Sequence, residues 1–345
     1  MFDDELFRYN DIEVKDMKTM LDYINEIPEY ITSHINEGDY VKLREDFINE
    51  HKSTISIIAC GSSNNASNCA YHYLQDKLNV KVNIYTPYTF ANYEHIDKDS
   101  FYLVISQSGR SVNTLAVIDK LKKENVLVHF LTDNKDIKDE ELINVYQLDI
   151  GNEEVPFVTK GMSSTVFFLL RFASDDFIDL DTFNNLFKQY QQKAIDYFNE
   201  NKNLLINIKR VHILGSGSSK GVASEGSLKF CETLHVGASG YEIEEFLHGG
   251  NFELQKDHEV IMINSKFDEV RVNQLKNNLS ILCDNYYVLD KTGMDESISS
   301  LIYLAFFQTL VYLINKEKGN NIPLMEDKYL EFESHLKAKT INFYE

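Results

Sequence analysis

The chain has 345 residues, enough for two domains or one large one, and 43% of them are hydrophobic, the share of an ordinary globular core. Its 54 acidic against 34 basic residues leave a formal net charge of −20. That argues against nucleic acid as a partner, because binding a phosphate backbone needs a basic face. The four cysteines, Cys60, Cys69, Cys231 and Cys283, fit neither a zinc site nor a disulfide scaffold. No signal peptide is visible and no apolar run reaches transmembrane length, so a cytoplasmic location with no membrane partner is expected.

Residues 1–50 read as helical, with apolar positions recurring through MKTMLDYINEIPEYI (17–31). Strand-like and helical runs then alternate. SIIAC (56–60) reads as a buried strand, and NNASNCAYHYLQ (64–75) as the helix after it. VNIY (82–85) and FYLVIS (101–106) read as strands, and SVNTLAVIDKLKKE (111–124) as an amphipathic helix. VLVHFLT (126–132) and VYQLDI (145–150) are strands again, and one long helical stretch spans roughly 161–203. This alternation predicts an α/β fold with a parallel sheet covered by helices.

The pattern then starts over. RVHILGSGSSKGVASEGSLKFCE (210–232) mirrors TISIIACGSSNNASNCAYHYLQ (54–75): an apolar strand, a G-S-S turn and a helix. FYLVISQSG (101–109) corresponds in the same way to HEVIMINSK (258–266). Both pairs lie near 156 residues apart. A repeat on this scale predicts two related lobes rather than a solenoid. The division expected is a helical segment at 1–50, a first lobe at 51–205, and a second lobe with a C-terminal tail at 206–345.

Two turns of the first lobe, CGSS (60–63) and SQSGRS (106–111), each follow a strand and precede a helix. In a parallel sheet this sets them at the carboxyl edge, where ligands bind. Gly61 and Gly109 permit tight turns. Ser62, Ser63, Ser106, Ser108 and Ser111 offer hydroxyls, and helix-start amides favour an anion. A serine before a helix also serves simply as an N-cap, but two such turns on neighbouring strands point to a phosphate site. The second lobe keeps GSGSS (215–219), yet reads INSKFDE (263–269) where the other turn would recur. One phosphate site is therefore expected, in the first lobe.

In the second lobe, Glu225, Lys229 and Glu232 are spaced i, i+4, i+7 and share one helix face. On spacing alone this is a solvated charged stripe as readily as a site. His248 stands before two glycines, 16 residues beyond Glu232.

These motifs resemble the tandem sugar-isomerase (SIS) domain proteins, over roughly residues 30–345. That family includes the isomerase domain of glucosamine-6-phosphate synthase, SIS-type glucosamine-6-phosphate deaminases and fructosamine-6-phosphate deglycases. CGSS resembles its C-G-T-S turn, and SQSGRS its S-Q-S-G-E-T phosphate loop. EGSLKFCE (225–232) resembles E-G-A-L-K-L-K-E, and EFLHGG (245–250) resembles E-L-K-H-G-P. The resemblance implies that Ser62, Ser63, Ser106, Gln107, Ser108 and Ser111 hold a sugar phosphate, with Gly61 and Lys229 as further candidate substrate contacts. Glu232 would shuttle a proton between C1 and C2. His248 would act on the ring oxygen or leaving group, reaching the site from the neighbouring subunit of a homodimer. Lys339 in the C-terminal tail resembles a lysine that forms a Schiff base with the open sugar. No cofactor or metal is implied.

The chain departs from the synthase pattern in three places. It shows no glutaminase domain, since Phe2 follows Met1 where a nucleophilic cysteine would be needed, so ammonia delivery from glutamine is not expected. PFVTKG (156–161) replaces V-A-S-T-K, which changes a pocket wall, and Arg110 replaces a glutamate in the phosphate loop. The expected function is a fructosamine-6-phosphate deglycase. A glucosamine-6-phosphate isomerase or deaminase is the alternative, and a non-catalytic sugar-phosphate-binding regulator is a third reading.

Overall fold

The computed structural model describes residues 18–151, 153, 155, 157–176, 179–265 and 267–319. The chain enters through two helices. Met20–His34 starts at a capping box, in which the Asp22 amide donates to Thr19 Oγ1 and the Thr19 amide donates to Asp22 Oδ2. Its buried face carries Met20, Tyr23, Ile24, Ile27, Tyr30 and Ile31, the spacing of a one-sided helix. Tyr40–Glu50 follows.

Two parallel sheets come next. The first holds five strands in the order β2-β1-β3-β4-β5, with β1 at Thr54–Ala59, β2 at Lys81–Tyr85, β3 at Ser100–Ile105, β4 at Val128–Thr132 and β5 at Ile143–Gln147. The second holds four, β7-β6-β8-β9, with β6 at Arg210–Leu214, β7 at Gly237–Tyr241, β8 at Glu259–Ile263 and β9 at Asn285–Leu289. Successive side chains of a strand face opposite ways, and this chain uses both faces. Phe101, Leu103 and Ile105 enter one large core, while Tyr102 and Val104 enter a second cluster with Val117, Ile118 and Leu121 of helix Val112–Lys123. Burial on both faces is why β3 reads as a continuous apolar run rather than an alternating one.

The repeat is carried through the structure. Helix Ser62–Leu78 and helix Ser218–Leu234 are each 17 residues long and 156 residues apart. Each is preceded by a glycine of nearly identical backbone, Gly61 at φ 56°, ψ −134° and Gly217 at φ 56°, ψ −131°. Residues with a Cβ rarely adopt that conformation, so glycine is needed at both turns. The two helices cross at Gly221, where an added Cβ would sit 2.6 Å from the Cys69 amide nitrogen and 2.7 Å from the Asn65 carbonyl oxygen. The main core runs unbroken through both lobes, from Met20 to Ile314.

Two expectations are corrected. The stretch 161–203 is two helices, Lys160–Ala173 and Leu180–Leu205. Ser174 is extended, and the Asp179 side chain accepts the Thr182 amide to cap the second helix. The helix Glu296–Glu317 is long and apolar enough to cross a membrane, which the apolar runs in the sequence did not suggest. Of its most apolar stretch 94% is buried inside the fold, so packing accounts for its composition.

Candidate active site

The carboxyl ends of β1 and β3, which pair directly, bring the two serine turns side by side. In the second turn the Ser106 amide donates to the Leu131 carbonyl of β4, and the Gly109 amide donates back to the Ser106 carbonyl. Ser106 itself is buried, whereas Ser108 and Ser111 are exposed. Ser111 stands at the N-cap of Val112–Lys123 but makes no side-chain capping bond. Capping therefore does not account for that serine. Ser63 lies in the first turn of Ser62–Leu78, partly buried.

Ser62 is used differently. Its hydroxyl donates across the seam between the lobes to Glu225 Oε1 at 3.0 Å. Asn65, one turn on, donates to Glu225 Oε2 at 2.8 Å. Glu225 and Lys229 are both wholly buried, so the charged face of Ser218–Leu234 is not a solvated stripe. Lys229 Nζ lies 3.0 Å from Glu225 Oε1 and 2.5 Å from Glu232 Oε1. The two carboxylates hold the buried ammonium firmly charged, pushing its pKa up against the effect of burial. Glu232 is the outermost member, with its side chain 26% exposed. Burial raises its carboxyl above the ordinary glutamate value. Lys229 opposes that rise, and Glu225 and Glu153 add to it.

Glu153 is a site residue the sequence reading passed over. Its Oε1 accepts the amides of Thr159 at 2.7 Å and Lys160 at 2.8 Å, and its Oε2 accepts the amide of Gly161 at 3.1 Å. It thereby occupies the positive end of helix Lys160–Ala173. Gln107 Nε2 donates to the same Oε2 at 3.3 Å, so a side chain of the second serine turn is tied to this carboxylate. Asn65 was passed over as well. An acidic residue shortly before a helix start, and an amide one turn into the helix after G-S-S, were the available signals.

His248 lies on the exposed loop that follows helix Ile243–Phe246. Among the described residues, no hydrogen bond or ion pair joins it to Glu232 within the chain. Lys339 lies outside the described residues. All four cysteines are free, and no group of His, Cys, Asp and Glu among the described residues could hold a metal ion. Beside the charged cluster, an open groove of about 360 Å³ is lined by uncharged side chains, among them Asn65, Ser224, Ser227 and Cys231.

By its fold the chain is a doubled α/β protein built on two parallel sheets. Its residues 47–166 match the model of the SIS domain family. Among curated proteins it resembles the glutamine–fructose-6-phosphate aminotransferase (isomerizing) of Buchnera aphidicola subsp. Acyrthosiphon pisum, at 24% identity over 314 residues, covering 81% of this chain and 51% of the relative. The chain thus spans about half the length of the curated relatives it matches. Among solved structures it superposes on a Clostridium difficile 630 protein provisionally assigned as a phosphosugar isomerase, with a TM-score of 0.81 at 21% identity, covering 94% of this chain and 100% of that one. A glucosamine-6-phosphate deaminase from Thermotoga maritima gives 0.72 at 18% identity, covering 93% and 98%.

Proposed function

We propose that this chain is an enzyme acting on a 6-phosphorylated amino sugar, of the fructosamine-6-phosphate deglycase type. The observation that carries this reading is Glu232: a carboxyl of raised proton affinity, gripped by a buried lysine and open to solvent on one side. Proton transfer next to a carbonyl needs a positioned carboxylate with an upward-tuned pKa. The substrate phosphate sits at Ser106, Ser108 and Ser111, with Ser62, Ser63 and Gln107 at its flank. Once the sugar ring opens, Glu232 takes a proton from C1 and gives an enaminol. It returns the proton to C2, which leaves a C1 imine. Water hydrolyses the imine to glucose 6-phosphate and the free amine. His248, supplied by the second subunit of a homodimer, protonates the departing nitrogen. The setting is cytoplasmic.

The likeness to a deaminase and to aminotransferases favours a second reading, in which the amine is ammonia and the substrate is glucosamine 6-phosphate. One assay separates the two. Purified protein is incubated with glucosamine 6-phosphate and with phosphorylated fructosamines of several amino acids. Glucose 6-phosphate release from the fructosamines is expected. Formation of fructose 6-phosphate and ammonia from glucosamine 6-phosphate alone would establish the second reading. No turnover of any of them would remove both.

A further inference from the structure

Glu225 is a carboxylate without access to solvent, and a buried charge persists only where donors surround it. Two of its donors come from the opposite lobe, Ser62 to Oε1 and Asn65 to Oε2. Lys229 supplies the third, again at Oε1. Among the described residues, Asn65 is therefore the one side chain that satisfies Oε2. The same ammonium also holds Glu232. One cation serves two carboxylates, so whatever fixes Glu225 also fixes how Lys229 is shared.

We propose that Asn65 is a positioning residue of this site: it anchors Glu225 from the opposite lobe and so leaves Lys229 free to hold Glu232. The inference rests on reading Glu232 as the proton shuttle. The Asn65 amide carries no charge, so its influence on Glu232 passes through Glu225 and Lys229. The charged groups facing Glu232 are Lys229 and Glu225 of its own helix and Glu153 from the segment ahead of Lys160–Ala173. Cys69 packs beside Glu225 as a neutral thiol, its pKa pushed far up by burial. Without the Asn65 donor, Glu225 leans more heavily on the ammonium, the one charged donor it already contacts. Lys229 is drawn from Glu232, and Glu232 binds its proton more tightly.

Asn65→Leu removes the donor at similar volume, and the smaller Asn65→Ser, too short to reach Oε2, guards against overpacking. Titration is followed on the full chain by the carboxyl carbon resonance of Glu232 in glutamate-labelled protein, assigned by its disappearance in Glu232→Gln. Both variants should raise the Glu232 midpoint by about half a pH unit or more, roughly a threefold tighter hold on the proton. The acid limb of kcat should move by the same amount, with KM held within about twofold, since Asn65 acts through Glu225 and Lys229. A variant that melts earlier but keeps the wild-type midpoint would show that Asn65 merely joins two helices, and would overturn the proposal. Absence of turnover in wild type would sink the functional reading separately, while the resonance would still decide the role of Asn65.

Discussion

Lys229→Met tests the buried charge cluster most directly. Methionine fills the lysine's volume but leaves two carboxylates facing each other, one of them with no access to water. Removing one partner of a buried ion pair costs about 3–5 kcal/mol, because the remaining charge is stranded. With an unfolding entropy of about 2.1 cal/mol/K per residue, that converts to a fall in Tm of roughly 4–7 °C for this chain at pH values near 8. The deficit carries a pH signature. In the variant, Glu232 loses the cation that opposes the rise of its carboxyl, so its folded-state pKa moves further above its unfolded value of about 4.3. The folded variant then binds more protons than the unfolded chain between those two values. Its stability relative to wild type therefore improves as pH falls and is lost as pH rises through the raised pKa. Calorimetric melting of wild type and variant at a pH near 8 and again near 5.5 would measure both effects. A variant as stable as wild type at the higher pH, or a deficit that does not shrink at the lower one, would refute the account of Lys229 as the shared counter-ion.

Glu232→Gln should lower kcat by about 10²–10⁴-fold and leave the binding of sugar phosphate nearly unchanged, measured by steady-state kinetics and calorimetry. Because burial raises the Glu232 carboxyl and the first step needs it ionised, the acid limb of wild-type kcat should fall above the ordinary glutamate value. Ser108→Ala with Ser111→Ala should weaken glucose 6-phosphate binding, each hydroxyl contributing roughly 1.5–3 kcal/mol of charge-assisted hydrogen bonding. Ser111 makes no capping bond, so thermal stability should hardly change, and an unaltered Kd would move the phosphate elsewhere. Mixing inactive Glu232→Gln and His248→Ala subunits should restore activity to about a quarter of wild type under random re-pairing in a two-fold dimer. No recovery, with subunit exchange verified, would place both residues of a site in the same chain.

The double α/β architecture was legible because each lobe restates its own punctuation. An apolar strand, a glycine turn and a 17-residue helix recur 156 residues apart, and Gly61 and Gly217 adopt one backbone geometry. Boundaries inside the long helical stretch were less legible. The Asp179 cap was available as a signal, but continuous apolar spacing on both sides of Ser174 concealed the break. At the site, the shared face of Glu225, Lys229 and Glu232 followed from helical spacing, while their burial did not. Burial depends on how helix Ser62–Leu78 crosses Ser218–Leu234, and the Asn65–Glu225 contact spans 160 residues of chain. No local pattern encodes such a register. Glu153 was hidden for a similar reason, because its partner Gln107 belongs to a different turn, 46 residues away.

The close crossing at Gly221 bears on how any ligand comes and goes. The backbones of the two helices meet there with no room for a methyl group, and the neighbouring turn ties Glu225 to the opposite lobe. Swinging the lobes apart would strip a buried carboxylate of two donors and split a core that is continuous across the seam. The joint is a weld rather than a hinge. On the proposed reading a ligand would enter along the carboxyl edges of the strands with the lobes shut, rather than through domain closure of the kind that clamps around a substrate between two hinged halves.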